Sequence, residues 1–443
     1  MQKCILFIIV LLAQAHANTL HAQTAKQIIA TIAVINDSLT LLPAEGANVI
    51  SNKALSIFLS NKIGTYLSDY NDLSLYKNYI TFNSAEGTFT VNHNKKQPTS
   101  ADRPIRSFFI MGGKANILNA FSAAFNRRQT VNNIGITARQ VWMGKSRTTL
   151  ITAGYKGLQQ KEYIDAARAL IVQQLAHRIN YDDSLFSSDV SRLKVVETQK
   201  NFGEPATSLQ KDFNKKQLQY YSYQFANEQA QLLIETNSYK TISTSWTSLG
   251  VFIPLLNERY KIAASVSTPF AAHRNYPFAV TLTHTRFRES ATAGRTFLKF
   301  NGTLYNNNSF QSKFLQTLSL AEYSLAGGVD AASVRHANLG EVIIGNYKNF
   351  ITPQLSVLFA YIPAGWHFGV SLSAEQNFGS YKATNCKIGL PVVLIDNTSA
   401  PSITFEFQIK FFDVAHKVQP LVAIADKTSV GFTVGVPFSK IVY

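Results

Sequence analysis

Large apolar residues recur at every second position over much of this chain, most plainly near its end. Val430, Phe432, Val434, Val436 and Phe438 alternate with Gly431, Thr433, Gly435 and Pro437. A period of two sets the large residues on one face of a β-strand. An apolar face opposite glycine and threonine suits a strand with lipid outside and a crowded or watery interior. The rhythm repeats upstream. Ile403, Phe405, Phe407, Ile409 and Phe411 oppose Thr404, Glu406, Gln408 and Lys410; Trp366, Phe368, Val370, Leu372 and Ala374 oppose His367, Gly369, Ser371, Ser373 and Glu375. Similar alternation runs through Leu249 to Leu255, Tyr260 to Val266, Phe278 to Leu282, Leu298 to Leu304 and Leu355 to Tyr361. A weaker pair lies in Phe314 to Tyr347 about Gly327-Gly328, and Tyr79 to Val91 reads as a hairpin turning at Glu86-Gly87. Ile105 to Gly112 and Asn133 to Trp142 are further strand candidates.

Two regions break the rhythm. Ala54 to Leu67 suits an amphipathic helix with Leu55 and Phe58 on one side. From about Gly157 to Thr236 the period lengthens: Ala166, Leu170, Leu175 and Ile179 suit one helix, and Leu218, Phe225, Leu232 and Leu233 another, with the breaker Gly203-Glu-Pro205 between them. That second region reads as a helical insertion on one loop, able to cap the mouth, plug the lumen or stand off the surface. The organisation expected is therefore a leader at 1–22, a mixed segment at 23–76, first barrel strands at 77–156, a helical insertion at 157–240, and the main strands with the closing amphipathic strand at 241–443.

The leader rests on Lys3, an apolar stretch from Ile5 to Ala13, and small residues at Ala15-His-Ala17 and Ala22. No later apolar run approaches the roughly 20 residues a membrane helix needs. An exported chain of this kind is either soluble or a closed barrel whose strands satisfy one another. A soluble sandwich must cover its apolar face with a second layer, and the half after Thr241 has no helical segment to do so. The expected fold is thus all-β: an antiparallel transmembrane β-barrel of about twelve strands, within ten to fourteen, carrying a helical insertion. Phe405, Phe407, Ile409, Phe432, Val434, Val436 and Phe438 would face the membrane. His367, Ser371, Ser373, Glu375, Glu406, Gln408 and Lys410 would face the lumen.

At this point the chain resembles the Gram-negative outer-membrane β-barrel proteins as a class. The likeness rests on the leader, the alternating strands and the final strand Val430-Gly-Phe-Thr-Val-Gly-Val-Pro-Phe438. In that class the last strand usually ends on an aromatic residue and is recognised by the barrel-assembly machinery. Here Ser-Lys-Ile-Val-Tyr443 follows, with Tyr443 out of phase. The resemblance implies an outer-membrane location, with membrane lipid and the assembly machinery as partners.

Charge adds a direction. The formal net charge is +16, or +15 once Lys3 leaves with the leader. Such an excess speeds encounter with anionic partners, but it is spread thinly over an exported chain, which argues against nucleic acid. Once the leader and its Cys4 are removed, Cys386 stands alone, so no internal disulfide is expected. The seven histidines beyond the leader show no ligand spacing, and no nucleophile elbow, zinc-protease helix or phosphate loop occurs. His367 and Ser371 lie roughly 13 Å apart along one strand, too far for a catalytic pair. No enzyme, cofactor or metal is expected. The leading expectation is a pore for polar or anionic solutes partly gated by the insertion. A non-conducting structural, adhesive or assembly barrel is the alternative, and a lipid hydrolase the least favoured.

Overall fold

The computed structural model describes residues 26–37, 50–63, 77–83, 88–95, 107–116, 134–150, 155–181, 203–236, 239–255, 257–264, 269, 271–312, 316–325, 334–395 and 401–440. The leader reading at 1–22 lies outside them.

The strands are β1 (Lys77–Asn83), β2 (Thr88–Lys95), β3 (Ser107–Asn116), β4 (Gly135–Met143), β5 (Arg147–Leu150), β6 (Tyr239–Pro254), β7 (Glu258–Ala263), β8 (Ala271–Asn275), β9 (Ala279–Ser290), β10 (Gly294–Asn308), β11 (Gln316–Leu325), β12 (Val334–Ile344), β13 (Asn349–Ile362), β14 (Val370–Asn377), β15 (Thr384–Ile395), β16 (Pro401–Phe411) and β17 (Thr428–Lys440). Twelve of them, all but β5, β7, β8, β11 and β12, pair antiparallel around a ring. It closes where β1 meets β17, with Phe82 opposite Val434, and where β4 meets β6, with Val141 opposite Ser248. Closure leaves no bare edge, the condition for strands to cross hydrocarbon. β5 continues the edge that β4 began. Both pair with β6, separated by Gly144 to Ser146, and the Gly144 amide donates to the Ser245 carbonyl at 2.7 Å.

The alternation read from the sequence is the alternation of faces in the ring. Leu282, Phe300, Leu355, Phe359, Leu372, Leu390, Phe407, Ile409, Val430, Phe432 and Val436 stand outward and exposed, Phe407 at 54%. Phe405 and Val434 share that outward phase and are partly covered, the Phe405 ring stacking on Phe432 with centroids 5.4 Å apart. Phe438 lies in β17, its side chain outside the described set. An apolar surface this large and continuous belongs in lipid, not in water.

Not every alternating stretch joins the ring. β7, β8, β11 and β12 form a separate four-stranded sheet in the order β11-β12-β7-β8. The alternating Tyr260 to Val266 and the weak pair in Phe314 to Tyr347 therefore build an accessory sheet at the far end, opposite the end where β1 starts and β17 stops. β15 is a further ring strand, in which Cys386, Ile388, Leu390, Val392 and Leu394 alternate with Asn385, Lys387, Gly389, Pro391 and Val393. Its Gly389-Leu-Pro391 reads as a breaker, yet Pro391 pairs with Glu406 across β16. The Pro391 carbonyl accepts the Gly369 amide, so its missing N–H faces the β14 side just before that strand's ladder begins. Gly369 and Pro391 thus keep one of the two bonds such an antiparallel pair exchanges, and the ring forgoes the other at this point.

Four helices are described: α1 (residues 26–37), α2 (Asn52–Ile63), α3 (Tyr155–Tyr181) and α4 (Gly203–Thr236). α1, α3 and α4 pack together through Ile28, Ile32, Leu175, Ile179, Tyr221 and Phe225. The buried face of α3 is Ile164, Arg168, Leu175 and Ile179. Leu170, expected on it, is exposed.

Candidate functional site: a stoppered lumen

Helix α2 is buried on every side, from Ile50 and Ser51 before its first turn through Leu59. Its Leu55, Ile57, Phe58 and Leu59 belong to one apolar core with Phe108 and Ile110 of β3, Val141 of β4, Ile242 and Trp246 of β6, Phe287 of β9, Phe297 of β10, Leu358, Ala360 and Ile362 of β13, and Val393 of β15. These are inward-facing positions on seven strands spread around the ring. A helix joined to all of them lies within the mouth. Phe58 meets Tyr239 edge-on with ring centroids 5.6 Å apart. From behind, Ala226, Ala230 and Leu233 of α4 and Ile164 of α3 complete the core, and Gln229 accepts the Ser51 amide at 2.9 Å. The stopper is thus α2, with the 157–240 insertion as its backing. The break in the sequence pattern at 157–240 points to the insertion alone, whereas the structure sets α2 in front of it.

Beyond the stopper the inner wall turns polar. A cavity of about 210 Å³ is bounded by Arg139, Lys299, Lys387 and Lys410, by Glu375, and by the neutral side chains of Thr281, Asn301, Gln354, Ser356, Ser373 and Asn385. Strand phase puts these groups together. Lys387 of β15 stands directly between Ser373 of β14 and Lys410 of β16, while Lys299 lies opposite Thr285 of β9 and Leu358 of β13.

The two carboxylates are tied by neutral donors. Asn385 Nδ2 donates to Glu375 Oε1 at 2.6 Å, and Gln408 Nε2 donates to Glu406 Oε2 at 3.1 Å and to Thr433 Oγ1 at 2.9 Å. The Ser371 hydroxyl donates to Glu406 across the whole width of β15. That bond passes over Gly389, where an added Cβ would collide with both partners. Glycine is needed here for close approach, and buried carboxylates need such partners.

Of the expected lumen residues, Ser371, Ser373, Glu375, Glu406, Gln408 and Lys410 lie on this inner wall. His367 does not. β14 begins only at Val370, and His367 stands exposed in the connection before it, its carbonyl accepting the Val393 amide at 2.7 Å. Arg139, Lys299, Lys387 and Asn385 were missed. Lys299 is legible by phase, since it alternates with Leu298 and Phe300. Lys387 and Asn385 sit on the inward phase of β15, opposite the apolar Cys386, Ile388 and Leu390. Among the described residues no cluster of His, Cys, Asp or Glu could hold a metal ion, and no helix is long and apolar enough to cross a membrane.

A second organised feature lies at the far end, in the β16–β17 loop. The Asp413 carboxylate accepts the amides of Lys417, Val418 and Gln419 at 2.8, 3.0 and 2.8 Å. The buried Lys427 ammonium donates to the Asp413 carbonyl at 2.8 Å and lies 3.5 Å from its carboxylate. Burial alone would raise the Asp413 carboxyl, but the three amides and Lys427 hold it below the usual carboxylate range. Lys427 thus closes the loop from its far side.

A closed antiparallel ring with an apolar outer band and a polar inner wall is the architecture of the outer-membrane β-barrel proteins. Within that class the chain is assigned to no particular family: no family model matches it, and neither does any curated protein. Among solved structures it is similar to the porin NanC at 6% identity, covering 82% of this chain and 99% of that one with a TM-score of 0.27. It is similar to the β domain of the Bordetella autotransporter BrkA at 8% identity, 82% and 98% coverage and a TM-score of 0.27. It is also similar to Wzi, an Escherichia coli outer-membrane protein involved in group 1 capsule assembly and described as a carbohydrate-binding β-barrel, at 8% identity, 88% and 98% coverage and a TM-score of 0.18. At these scores the likeness is one of outline alone.

Proposed function

We propose that this chain is an outer-membrane channel for small anionic or polar solutes, held shut by α2. The observation that carries the reading is the stopper itself. A buried helix with an apolar core of Leu55, Ile57, Phe58 and Leu59 fills one mouth of a lumen whose middle is polar and lined by four cations and two carboxylates. A barrel serving only as a scaffold needs neither a separate stopper nor a cationic chamber above it. The excess of positive groups favours anions through the open lumen. β17, with its exposed Phe432 and Val436, is the segment proposed to engage the barrel-assembly machinery.

The test is conductance in planar bilayers. The intact protein is expected to be nearly silent, and deletion of residues 50–63 to give discrete anion-selective steps. Lys387→Gln with Lys410→Gln in the deleted form should then lower the anion preference. Silence of a deletion variant that remains folded, shown by its faster gel migration before boiling, overturns the channel. The second reading, a non-conducting structural barrel, would then stand, favoured by the hydrogen-bonded chain Ser371–Glu406–Gln408–Thr433 that partly fills the lumen.

A further inference from the structure

The outward face of β6 and β9 changes character along its length. Toward the far end it carries Leu249, Val251, Ile253, Val280 and Leu282, continuous with the lipid-facing band. Toward the near end it carries Ser243, Ser245, Arg286 and Arg288, the arginines exposed. Residues directly opposed in an antiparallel pair share a face. Arg147 of β5 pairs with Ser243, which pairs with Arg288, and Ser245 pairs with Arg286. Three guanidinium groups therefore ride one outward patch across three adjacent strands, with two serine hydroxyls among them. Arg286 and Arg288 are about 7 Å apart along β9, and Arg147 about 10 Å from Arg288 across β6. Flexible arginines at those spacings converge on one or two phosphate groups.

The patch also sits at a particular depth. Trp142 pairs with Thr247 one row farther into the apolar band, and Tyr361 reaches the row of Arg288 through Thr296. Outward aromatics at that height mark the boundary between hydrocarbon and headgroups. The outward positions of β4, β5, β6, β9, β10 and β13 include no carboxylate. Glu289, the nearest in sequence, points inward, where it accepts from Tyr239 at 2.8 Å and pairs with Arg295 at 3.1 Å. The cations therefore face the headgroup layer with no acidic partner on their own wall.

We propose that Arg147, Arg286 and Arg288 form a binding site for the phosphate of an anionic phospholipid in the leaflet at the near end. That leaflet follows from the connections. The near end carries both barrel termini, the α3–α4 insertion and the short β9–β10 and β13–β14 turns, while the far end carries the strand excursions holding β7, β8, β11 and β12. In outer-membrane barrels the short turns face the periplasm, and the periplasmic leaflet is the phospholipid one. The site rests on the chain's residence in a membrane but not on its conducting anything.

The experiment uses the full chain in nonionic detergent, offered phosphatidylglycerol, phosphatidylcholine of the same acyl chains, or lipopolysaccharide, with retained lipid read by native mass spectrometry. The wild type is expected to retain phosphatidylglycerol over phosphatidylcholine. Arg147→Gln, Arg286→Gln and Arg288→Gln should each lower that preference about five-fold, whereas Lys382→Gln, in an exposed far-end turn, should leave it unchanged. Equal retention of the two phospholipids by the wild type overturns the proposal. So does an equal effect of Lys382→Gln, or a stronger retention of lipopolysaccharide than of phosphatidylglycerol. Because no conductance enters the measurement, its outcome is independent of the channel test.

Discussion

Phe58→Ala isolates the stopper without touching a single ladder bond of the ring. Phe58 is 0% exposed, and its ring belongs to the core that α2 shares with the inner wall. Truncating a fully buried phenylalanine costs about 3–5 kcal/mol. Released from the mouth, α2 would leave Phe58 in water, so nearly all of that loss falls on the equilibrium between seated and unseated helix. At about 1.4 kcal/mol per decade, the lower value already raises the unseated fraction roughly a hundredfold. The assay is single-channel recording at fixed voltage, scoring the fraction of time open. A rise of about two orders of magnitude is expected for Phe58→Ala and none for Leu421→Ala, whose side chain is 98% exposed on the far-end loop. Heat-modifiable gel migration should be retained by both. An unchanged open fraction in a folded Phe58→Ala protein would refute the seating of α2 as the gate.

Two other outcomes follow from the outer wall and from the far-end loop. Phe407→Arg places a charge on the lipid face of β16, between Leu390 and Phe432 on its neighbours, and should destabilise the barrel in vesicles by about 2–4 kcal/mol; an unshifted urea midpoint would mean Phe407 does not sit in hydrocarbon. Asp413→Asn removes the charge that gathers three amides and Lys427, at about 1.5–3 kcal/mol for such bonds, so limited proteolysis within 414–426 should quicken by one to two decades at neutral pH. Since the folded Asp413 carboxyl is held below its ordinary value near 3.9, its stabilisation is fully present above that pH and is lost as pH falls through the lowered value. Wild-type protection that already fails at pH 6 would contradict the tie.

Local chemistry decides local form, and here it went far. Whether Phe405 and Phe407 face away from Glu406 and Gln408 follows from the two-residue period of any strand, whatever surrounds it. The same pattern, repeated with no covering layer after Thr241, points to a closed barrel, which is the fold found. The inner wall at Ser371, Ser373, Glu375, Glu406, Gln408 and Lys410 follows from phase alone. What period cannot express is which strand lies beside which. Tyr260 to Ala263 alternates as a ring strand does but pairs with β8 and β12 in the accessory sheet. β15 joins the ring despite Gly389 and Pro391, because one is required for close approach and the other still accepts through its carbonyl, forgoing a single bond to Gly369. α2 carries apolar side chains that would fit the edge of many cores; that it fills a mouth emerged only when Phe108, Trp246, Phe287, Phe297 and Val393, far apart in the chain, came to surround it. Arg139, Lys299, Lys387 and Lys410 likewise become one chamber through ring closure, since electrostatic neighbourhood depends on distance in space and not along the chain.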